Sequence, residues 1–188
     1  LVHLVDLDGA RWGRTRPGLV ARAVAASGRA EIQTSGGVRG VDDALGLVAA
    51  GAARVVIGTA AFLDGALPPY VDALGERLAV AVDVREGLVE VAGWSRSTGL
   101  SADEAAARCA DAGVARVLCT AVARDGMLDG PDLALLERVR ARFGGPVVAA
   151  GGVGSEDDLS ALAGIGVEAA VVGRALLDGR LPLSLLAR

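Results

Sequence analysis

The feature of this sequence that most constrains its fold is an internal repeat with a constant offset of 115 residues. The segment SGGVRGVDDALGL aligns with AGGVGSEDDLSAL further along the chain. Gly36 matches Gly151, and Gly58 matches Gly173, at the same offset. Apolar runs and amphipathic stretches alternate about four times within one period, which is typical of a half-barrel of four βα units that has been duplicated. An open, doubly wound sheet gives no reason for such a repeat.

Seven short apolar or β-branched runs are predicted to be strands, and the Ala- and Leu-rich stretches between them are predicted to be helices. The predicted strands are residues 1–7, 30–34, 54–57, 78–84, 116–120, 146–150 and 168–172. The predicted helices are residues 17–27, 41–50, 67–74, 101–112, 132–143 and 155–162, with a final piece at 181–187. No linker or low-complexity tract divides the chain. We therefore predict one domain over residues 1–188, an α/β fold of the (βα)8 TIM-barrel class with seven βα units.

The repeat also predicts that one unit of the barrel lies outside this sequence. The strand that ends at Asp83 should have a partner 115 residues earlier, which falls before residue 1. An eight-unit barrel has about 250 residues, and one βα unit has at least ~30, so the 188-residue chain is short by about one unit. We expect the first strand and the first helix to be missing.

A barrel without one strand has two unpaired strand edges. About three backbone groups would face each way, and burying each of them unpaired costs ~1–3 kcal/mol. The sum for one edge is comparable to the ~5–15 kcal/mol by which a whole domain is stable. We therefore expect either closure of the seven strands into a smaller barrel or self-association through the open edges.

The composition excludes several classes of chemistry. All 19 basic residues are Arg, so Schiff-base catalysis, pyridoxal phosphate and the Lys of a nucleotide P-loop are absent. The single histidine, His3, makes a His-based metal site or a Ser–His–Asp triad unfavourable. The net charge of −4 and the absence of basic runs argue against nucleic acid as a partner.

The sequence carries no sign of a membrane or of an oxidising compartment. Its apolar start has no basic leader, and charged residues interrupt every long apolar run, so we expect no targeting segment and no membrane partner. The two cysteines, Cys109 and Cys119, are too few for a disulfide framework and read as small core residues. We predict a cytoplasmic protein.

Four glycine-containing loops follow predicted strands and lead into helices. Glycine lets backbone N–H groups approach a phosphate, and a helix N-terminus adds partial positive charge. Because the repeat relates two of the loops to the other two, they predict two phosphate sites on opposite sides of the barrel mouth. The alternative is that the glycines only form tight strand-to-helix turns. The residues concerned are Gly36, Gly37, Gly58 and Thr59, and Gly151, Gly152, Gly173 and Arg174.

Carboxylates at the ends of strands are the candidate catalytic groups, because the active site of a βα barrel lies there. The candidates are Asp6, Asp8, Asp83 and Asp125. Asp83 ends an otherwise apolar strand and Asp125 follows the next one, so this pair could act as acid and base across the mouth. Thr120 would present a hydroxyl to the same space. For any single Asp, the alternative is loop capping or pairing with an Arg.

The indole of Trp94 is predicted to lie in a polar, glycine-containing loop after the same strand as Asp83. There it could stack on a flat ligand ring, or it could simply pack its own loop down. His3 lies at the start of an apolar strand and is predicted to be a core or rim residue rather than a catalytic one.

Several motifs stand in a fixed order along the chain: HLVDLDGA, SGGVR, VVIGTAA, AVDVR, GW, T-x-x-x-x-DG-M-L-x-GP, AAGGV and VVGRAL. Together they resemble the phosphoribosyl isomerase family of histidine biosynthesis, and most of all its actinobacterial bifunctional form, which also serves tryptophan biosynthesis. The resemblance covers the whole chain. It implies a (βα)8 barrel that binds a bis-phosphorylated small-molecule substrate at two phosphate sites. It also implies an Amadori rearrangement of an aminoaldose to an aminoketose, with no metal and no organic cofactor.

The resemblance assigns roles to the candidate residues. It implies that Asp125 is the general acid on the ribose ring oxygen, that Asp83 donates a proton or orients the substrate, and that Thr120 contacts the substrate. Trp94 matches the Trp that bifunctional members use on the smaller, anthranilate-bearing substrate. The two sets of glycine-loop residues match the two phosphate sites.

Three departures from the family pattern bear on activity. The family's general base is an Asp on the first strand, which this sequence does not contain. Ala92 stands where an Arg contacts the larger substrate, and Ala121 stands where an acidic residue often follows the Thr. The sequence therefore leaves two hypotheses open. One is an isomerase whose first unit is supplied elsewhere or partly replaced by Asp83, and the other is a phosphosugar-binding or structural remnant. The sister cyclase of the same pathway is a weaker third reading.

Overall fold

Seven parallel strands frame the structure, a computed structural model that describes residues 1–63 and 65–187. An antiparallel hairpin is attached to the middle strand. The strands are β1 (Val2–Val5), β2 (Ile32–Ser35), β3 (Arg54–Ile57), β4 (Leu78–Arg85), β5 (Leu88–Val91), β6 (Arg96–Ser101), β7 (Val117–Ala121), β8 (Val147–Ala150) and β9 (Ala169–Val171). Their order in the sheet is β1-β2-β3-β4-β7-β8-β9, and β5 and β6 form the hairpin on β4. Because all seven frame strands are parallel, their carboxyl ends meet at one edge of the sheet.

Helices follow the frame strands in a repeating βα pattern. The α-helices are α1 (Leu7–Trp12), α2 (Pro17–Ala26), α3 (Val41–Ala49), α4 (Leu67–Leu74), α5 (Ala102–Asp111), α6 (Leu133–Phe143), α7 (Glu156–Gly164) and α8 (Arg174–Leu177). Short 3-10 helices are found at Thr59–Phe62, Gly75–Arg77, Val122–Arg124 and Leu183–Ala187.

Local sequence signals explain where these helices begin and end. Ser101 caps α5, and its backbone and side chain in turn donate to the Glu104 carboxylate, which forms a reciprocal capping box. Pro17 opens α2, where its missing N–H costs nothing. Gly144 ends α6 in the left-handed conformation that glycine adopts freely.

The alternation of side chains along the strands divides the interior into two parts. Val55, Ile57, Val80 and Val82 are fully buried and belong to the apolar cluster between the sheet and the helices. The residues between them point to the other face, because successive strand side chains alternate. That face surrounds a cavity. The core is made almost wholly of aliphatic side chains, as expected for a parallel sheet covered by helices.

The seven predicted strands are all present, with ends that differ by at most two residues. Leu7 was predicted to end the first strand, but it begins α1, because Asp6 caps a helix at that point. The sequence reasoning missed α1, α8 and the hairpin β5–β6. The predicted final helix is a 3-10 helix at Leu183–Ala187. None of the helices in the described part of the chain is long and apolar enough to cross a membrane.

Of the two expected outcomes for the open edges, closure of the seven strands into a smaller barrel is not found, and self-association stays a prediction. Among the described residues, β1 pairs only with β2 and β9 pairs only with β8, so the frame is a nearly closed barrel with two unpaired edges. Apolar side chains beside these edges are exposed. Leu7 is 74% exposed and Leu177 is 88% exposed, while Leu1, Val2 and Val5 are also on the surface.

Candidate active site

A cavity of about 330 Å³ lies at the carboxyl ends of the strands, where the active site of a βα barrel is expected. Of the twelve predicted site residues, seven line it, and they come from both halves of the described chain. They are Gly36, Gly37, Gly58, Thr59, Asp83, Trp94 and Thr120. The structure therefore brings the first predicted phosphate site and the central carboxylate into one space.

Asp83 is the carboxylate of the cavity. It lies near the end of β4, directly opposite Thr120 in the register of β4 and β7. Trp94 donates a hydrogen bond from Nε1 to its Oδ2 at 2.9 Å. Burial raises the pKa of the Asp83 carboxyl above its ordinary value, because the charged form is desolvated. Hydrogen bonds from Thr120 and Trp94 act against this shift, and the nearby charge of Asp125 adds to it.

The turn that joins β5 and β6 brings Trp94 over the cavity. Ala92, Gly93 and Trp94 all have positive φ angles, of 54°, 66° and 64°. Two of the three are not glycine, so this turn is strained by roughly 1–2 kcal/mol at each of them. Ala92 donates its backbone N–H to Oγ1 of Thr59 at 2.9 Å, which ties the turn to the loop after β3. The polar loop predicted around Trp94 is thus a hairpin turn held at two points.

Asp125 lies on the loop after β7, as predicted, but its side chain is exposed and does not line the cavity. It is close enough to Asp83 for its charge to raise the pKa of that carboxyl. The loop is tied down by Arg174, whose Nη1 donates to the backbone oxygen of Gly126 at 2.7 Å. A carboxylate on this loop can reach a ligand that protrudes from the cavity.

The two Gly-Gly pairs have the same packing role in both halves. A Cβ atom on Gly36 would lie 2.2 Å from the backbone oxygen of Asp6, and one on Gly152 would lie 2.1 Å from that of Gly130. Gly37 and Gly151 are similarly crowded by backbone atoms, and all four have positive φ angles. The two Gly-Gly pairs therefore need glycine for close backbone approach, as the tight-turn alternative predicts, whereas Gly58 and Gly173 have no such close contact. The phosphate role of the four loops stays a prediction.

The backbone N–H groups beside these glycines are available to a ligand. No hydrogen bond from the N–H of Gly37 or Val38 to another described residue is present, and the same holds for Gly152 and Val153. The second predicted phosphate set, which is Gly151, Gly152, Gly173 and Arg174, does not line the cavity. The structure thus builds half of the predicted pair of sites into the cavity and leaves the other half beside it.

Asp6 and Asp8, two of the candidate carboxylates, have structural roles. Asp6 caps α1 by accepting from Gly9 N at 2.7 Å, and it is also ion-paired with Arg16. The hydrogen bond from Arg16 holds the pKa of the Asp6 carboxyl below its ordinary value. Asp8 lies in the first turn of α1 and pairs with Arg16 at 2.9 Å. The capping and pairing alternative applies to both.

The remaining singled-out residues are inert or peripheral. His3 lines the cavity wall, hydrogen-bonds Gln33 at 2.9 Å, and has a pKa lowered by burial. Burial raises the pKa of the Cys109 thiol to about 12 and that of Cys119 as well, so both are unreactive core residues. In the described part of the chain, no three His, Cys, Asp or Glu side chains cluster in a way that could hold a metal ion.

Sequence reasoning missed the hairpin and two charged residues of the cavity, Arg39 and Glu90. A signal for the hairpin was present. The alternating segment LVEV is followed by a short glycine-containing stretch and then by RSTGLS, which is a hairpin pattern. Arg39 had no such signal, because it becomes a cavity residue only when the loop after β2 folds over α1.

Changing Asp83 to Asn should make stability depend less on pH. The folded-state pKa of Asp83 is raised, so its contribution to stability is full below the unfolded pKa and is lost as the pH rises through the folded pKa. We therefore expect Asp83→Asn to be more stable than the wild type at pH 7, with the difference shrinking towards pH 4. Urea unfolding at both pH values measures this. An Asp83→Asn variant that is less stable than the wild type at pH 7 would contradict the raised pKa.

Comparison with known proteins gives a consistent result over nearly the whole chain. A family described as "Histidine biosynthesis protein" matches residues 1–182. A relative from Thermomicrobium roseum is 47% identical over 183 residues, covering 95% of this chain and 75% of the relative. Relatives from Rubrobacter xylanophilus and Roseiflexus sp. are 44% and 42% identical, each covering 97% of this chain and 75% and 78% of their own length. All three are named 1-(5-phosphoribosyl)-5-((5-phosphoribosylamino)methylideneamino) imidazole-4-carboxamide isomerase.

Proposed function

This chain belongs to the histidine biosynthesis protein family, and we propose that it is the isomerase that opens the phosphoribosyl ring of the aminoaldose for which its relatives are named. The product is the corresponding aminoketose, and no metal or organic cofactor takes part. The observation that carries the proposal is Asp83. This partly buried carboxylate lies in the cavity and has a raised pKa. Glycine-loop N–H groups that donate no hydrogen bond to another described residue lie in the same cavity.

The rearrangement needs one acid and one base. The acid protonates the ring oxygen, the bond from that oxygen to C1 breaks, and the nitrogen lone pair forms a C1=N bond. The base then removes the proton from C2, the electron pair of that C–H bond forms a C1=C2 bond, and the C1=N electron pair returns to the nitrogen. The resulting enaminol loses the proton of its C2 hydroxyl and gains a proton at C1, which leaves a ketone at C2. Each positioned proton transfer contributes about 10²–10⁴-fold.

We assign the acid to Asp125 and the substituting base to Asp83. Asp125 is exposed on a loop at the mouth, where it can approach a ring oxygen from the solvent side. Asp83 lies deeper, and a carboxylate whose pKa is raised by burial is a stronger base than an ordinary one. Trp94 holds the carboxylate by its hydrogen bond, and Thr120 lies directly opposite Asp83 in the register of β4 and β7.

The two phosphates would bind at the two halves of the repeat. Gly36, Gly37, Gly58 and Thr59 lie in the cavity and would bind one phosphate through backbone N–H groups and the Thr59 hydroxyl. Gly151, Gly152, Gly173 and Arg174 would bind the other outside the cavity, with the Arg174 guanidinium as the charged donor. A substrate with two phosphates would then span the mouth past both carboxylates.

Steady-state assay of the purified 188-residue chain with the aminoaldose tests the isomerase directly. We expect slow turnover, because the family's own base is not among these residues. Turnover that disappears in Asp83→Asn supports the isomerase. Binding of the aminoaldose without any turnover would instead favour the phosphosugar-binding remnant.

Isomerisation of phosphoribosylanthranilate is a second proposed activity, and Trp94 is the residue that favours it. Trp94 is 38% exposed at the cavity, and its indole can stack on an anthranilate ring, while Ala92 has only a methyl group to meet a larger substrate. Trp94→Phe also removes the hydrogen bond that lowers the pKa of Asp83. We therefore expect the acidic limb of the pH–rate profile to move to higher pH in Trp94→Phe. Trp12→Phe is the matched control, since Trp12 is on the surface away from the cavity. An unmoved limb would contradict this role of the indole.

We further propose that one more βα unit, from outside these residues, fits between β9 and β1. Both strands have an unpaired edge in the described structure, exposed apolar side chains flank the two edges, and the relatives are longer than the matched region. The test extends the chain at Leu1 with the preceding segment of the Thermomicrobium roseum relative. We expect turnover to rise by about 10²-fold or more if the unit brings the base. An extension whose strand-end Asp is changed to Asn is the control.

Sedimentation velocity of the 188-residue chain alone shows whether the unpaired edges of β1 and β9 cause self-association.

A further inference from the structure

Two residues related by the 115-residue repeat each hold a loop that carries a residue of the proposed site, Trp94 in one case and Asp125 in the other. Thr59 and Arg174 are the second residues of the matched Gly58-Thr59 and Gly173-Arg174 loops. In addition to their place in the proposed phosphate sites, both make a side-chain hydrogen bond to the backbone of a distant loop. The packing of the sheet does not require these bonds, because they join exposed or half-exposed loop atoms.

Thr59 holds the hairpin turn. Its Oγ1 accepts from the backbone N–H of Ala92, 33 positions away, at 2.9 Å. Two residues further on, Trp94 donates to Asp83. The turn between these attachments has left-handed backbone at non-glycine residues, a conformation that persists only where the surroundings hold it. Loss of the bond to Thr59 leaves the Trp94–Asp83 bond as the turn's side-chain attachment to the cavity.

Arg174 holds the loop that carries Asp125. Its Nη1 donates to the backbone oxygen of Gly126 at 2.7 Å, across 48 positions. Its Nε donates at 3.1 Å to Asp178, the residue that follows α8. The far end of the loop is held separately by Arg124, which donates to the backbone oxygen of Gly130 at 2.9 Å. Arg174 is thus the side-chain attachment nearest to Asp125.

We propose that Thr59 and Arg174 are positioning residues that couple occupancy of each phosphate site to the placement of one loop of the proposed site. A threonine hydroxyl can accept from Ala92 and donate to a phosphate oxygen at the same time. The Arg174 guanidinium has further N–H groups for a phosphate beside those used on Gly126 and Asp178. A phosphate at either site orders the side chain, and the ordered side chain orders its loop. The phosphate half of this inference rests on the proposed function; the two loop attachments do not.

Hydrogen exchange measured by mass spectrometry on two peptides tests the attachments first, without ligand. One peptide covers residues 91–95 and the other covers 122–130. Thr59→Val removes the acceptor at nearly constant volume, and Arg174→Met removes the donor. We expect about fivefold faster exchange in the hairpin peptide of Thr59→Val and in the 122–130 peptide of Arg174→Met. Each variant is the control for the other, and Thr59→Ser should restore the wild-type rate.

The same two peptides are then measured with inorganic phosphate as the probe. We expect phosphate to slow exchange in both loops of the wild type, and to lose its effect on the hairpin in Thr59→Val and on the 122–130 loop in Arg174→Met. In the assay, Thr59→Val should lower kcat as well as raise KM, and Thr59→Ser should recover kcat. A residue that only binds phosphate would move KM alone.

Three results would overturn the inference. The first is wild-type exchange in the loop that each variant should release, and the second is faster exchange in both loops of both variants, which means general loosening. The third is bound phosphate that slows neither loop. If titration shows that phosphate does not bind at all, the proposed phosphate sites fail, while the ligand-free comparison still decides whether the two residues hold their loops.

Discussion

Asp125→Asn should lower kcat for the aminoaldose by about 10²–10⁴-fold with little change in KM, because the variant keeps the shape of the loop and removes the proton that the ring oxygen receives. Asp125 is exposed and makes no hydrogen bond to the described part of the chain through its side chain, so the substitution should leave stability nearly unchanged. Steady-state kinetics together with urea unfolding separates the two effects.

Asp129→Asn is the matched control for this experiment. Asp129 is an exposed carboxylate on the same loop and has no proposed contact with the substrate. Its substitution by Asn removes the same charge as Asp125→Asn. We expect its kcat to stay within about twofold of the wild type, the range of surface substitutions away from special features. Equal losses in the two variants would assign the effect to the charge of the loop and would remove Asp125 from the acid role.

Gly152→Ala should lower the free energy of unfolding by more than about 3 kcal/mol, among the largest effects of a single substitution. The added Cβ would lie 2.1 Å from the backbone oxygen of Gly130, and the backbone at Gly152 has a φ of 89°, which non-glycine residues rarely adopt. Neither the clash nor the strain can be relieved by rotating a side chain, since the neighbouring atom is backbone. Thermal or urea unfolding measures the loss.

Gly113→Ala separates the clash from the strain. Gly113 also has a positive φ, of 74°, but its added Cβ would meet nothing within 4 Å. It should cost only the ~1–2 kcal/mol of the left-handed backbone. If Gly152→Ala lowers the free energy of unfolding no more than Gly113→Ala does, the close backbone approach at the Gly-Gly pairs is not needed for stability. Phosphate binding then becomes the better explanation for these glycines.

The frame strands were predictable because parallel buried strands leave a strong apolar signal between turn residues. The hairpin on β4 was not predicted, since its strands are short and partly polar, with residues such as Glu90 and Arg96, and they do not join the core on both faces. The helix α1 was missed for a similar reason. It is only six residues long, and Leu7 reads as a continuation of an apolar strand.

The candidate site also has some features that could be predicted from the sequence and others that could not. Asp83 and Thr120 could be placed in advance, because strand alternation and register bring both to the inner face. The sequence left the role of Asp6 open between catalysis and capping or pairing, because the ion pair that decides it depends on Arg16 folding back across ten positions. Likewise, the contacts of Thr59 with Ala92 and of Arg174 with Gly126 join residues that no local pattern relates.

By itself, the 115-residue repeat determined the class of the fold, the edge of the sheet where chemistry takes place, and the glycines that must lie there. These follow from the order of residues along the chain, because a repeated pattern of apolar runs and glycines is visible without any knowledge of distances in space. Only the tertiary structure decided that β1 and β9 each keep one unpaired edge among the described residues, that the second glycine set does not line the cavity, and that Trp94 donates to Asp83. Those outcomes depend on distances between residues far apart in sequence, and such distances are set by packing of the whole chain.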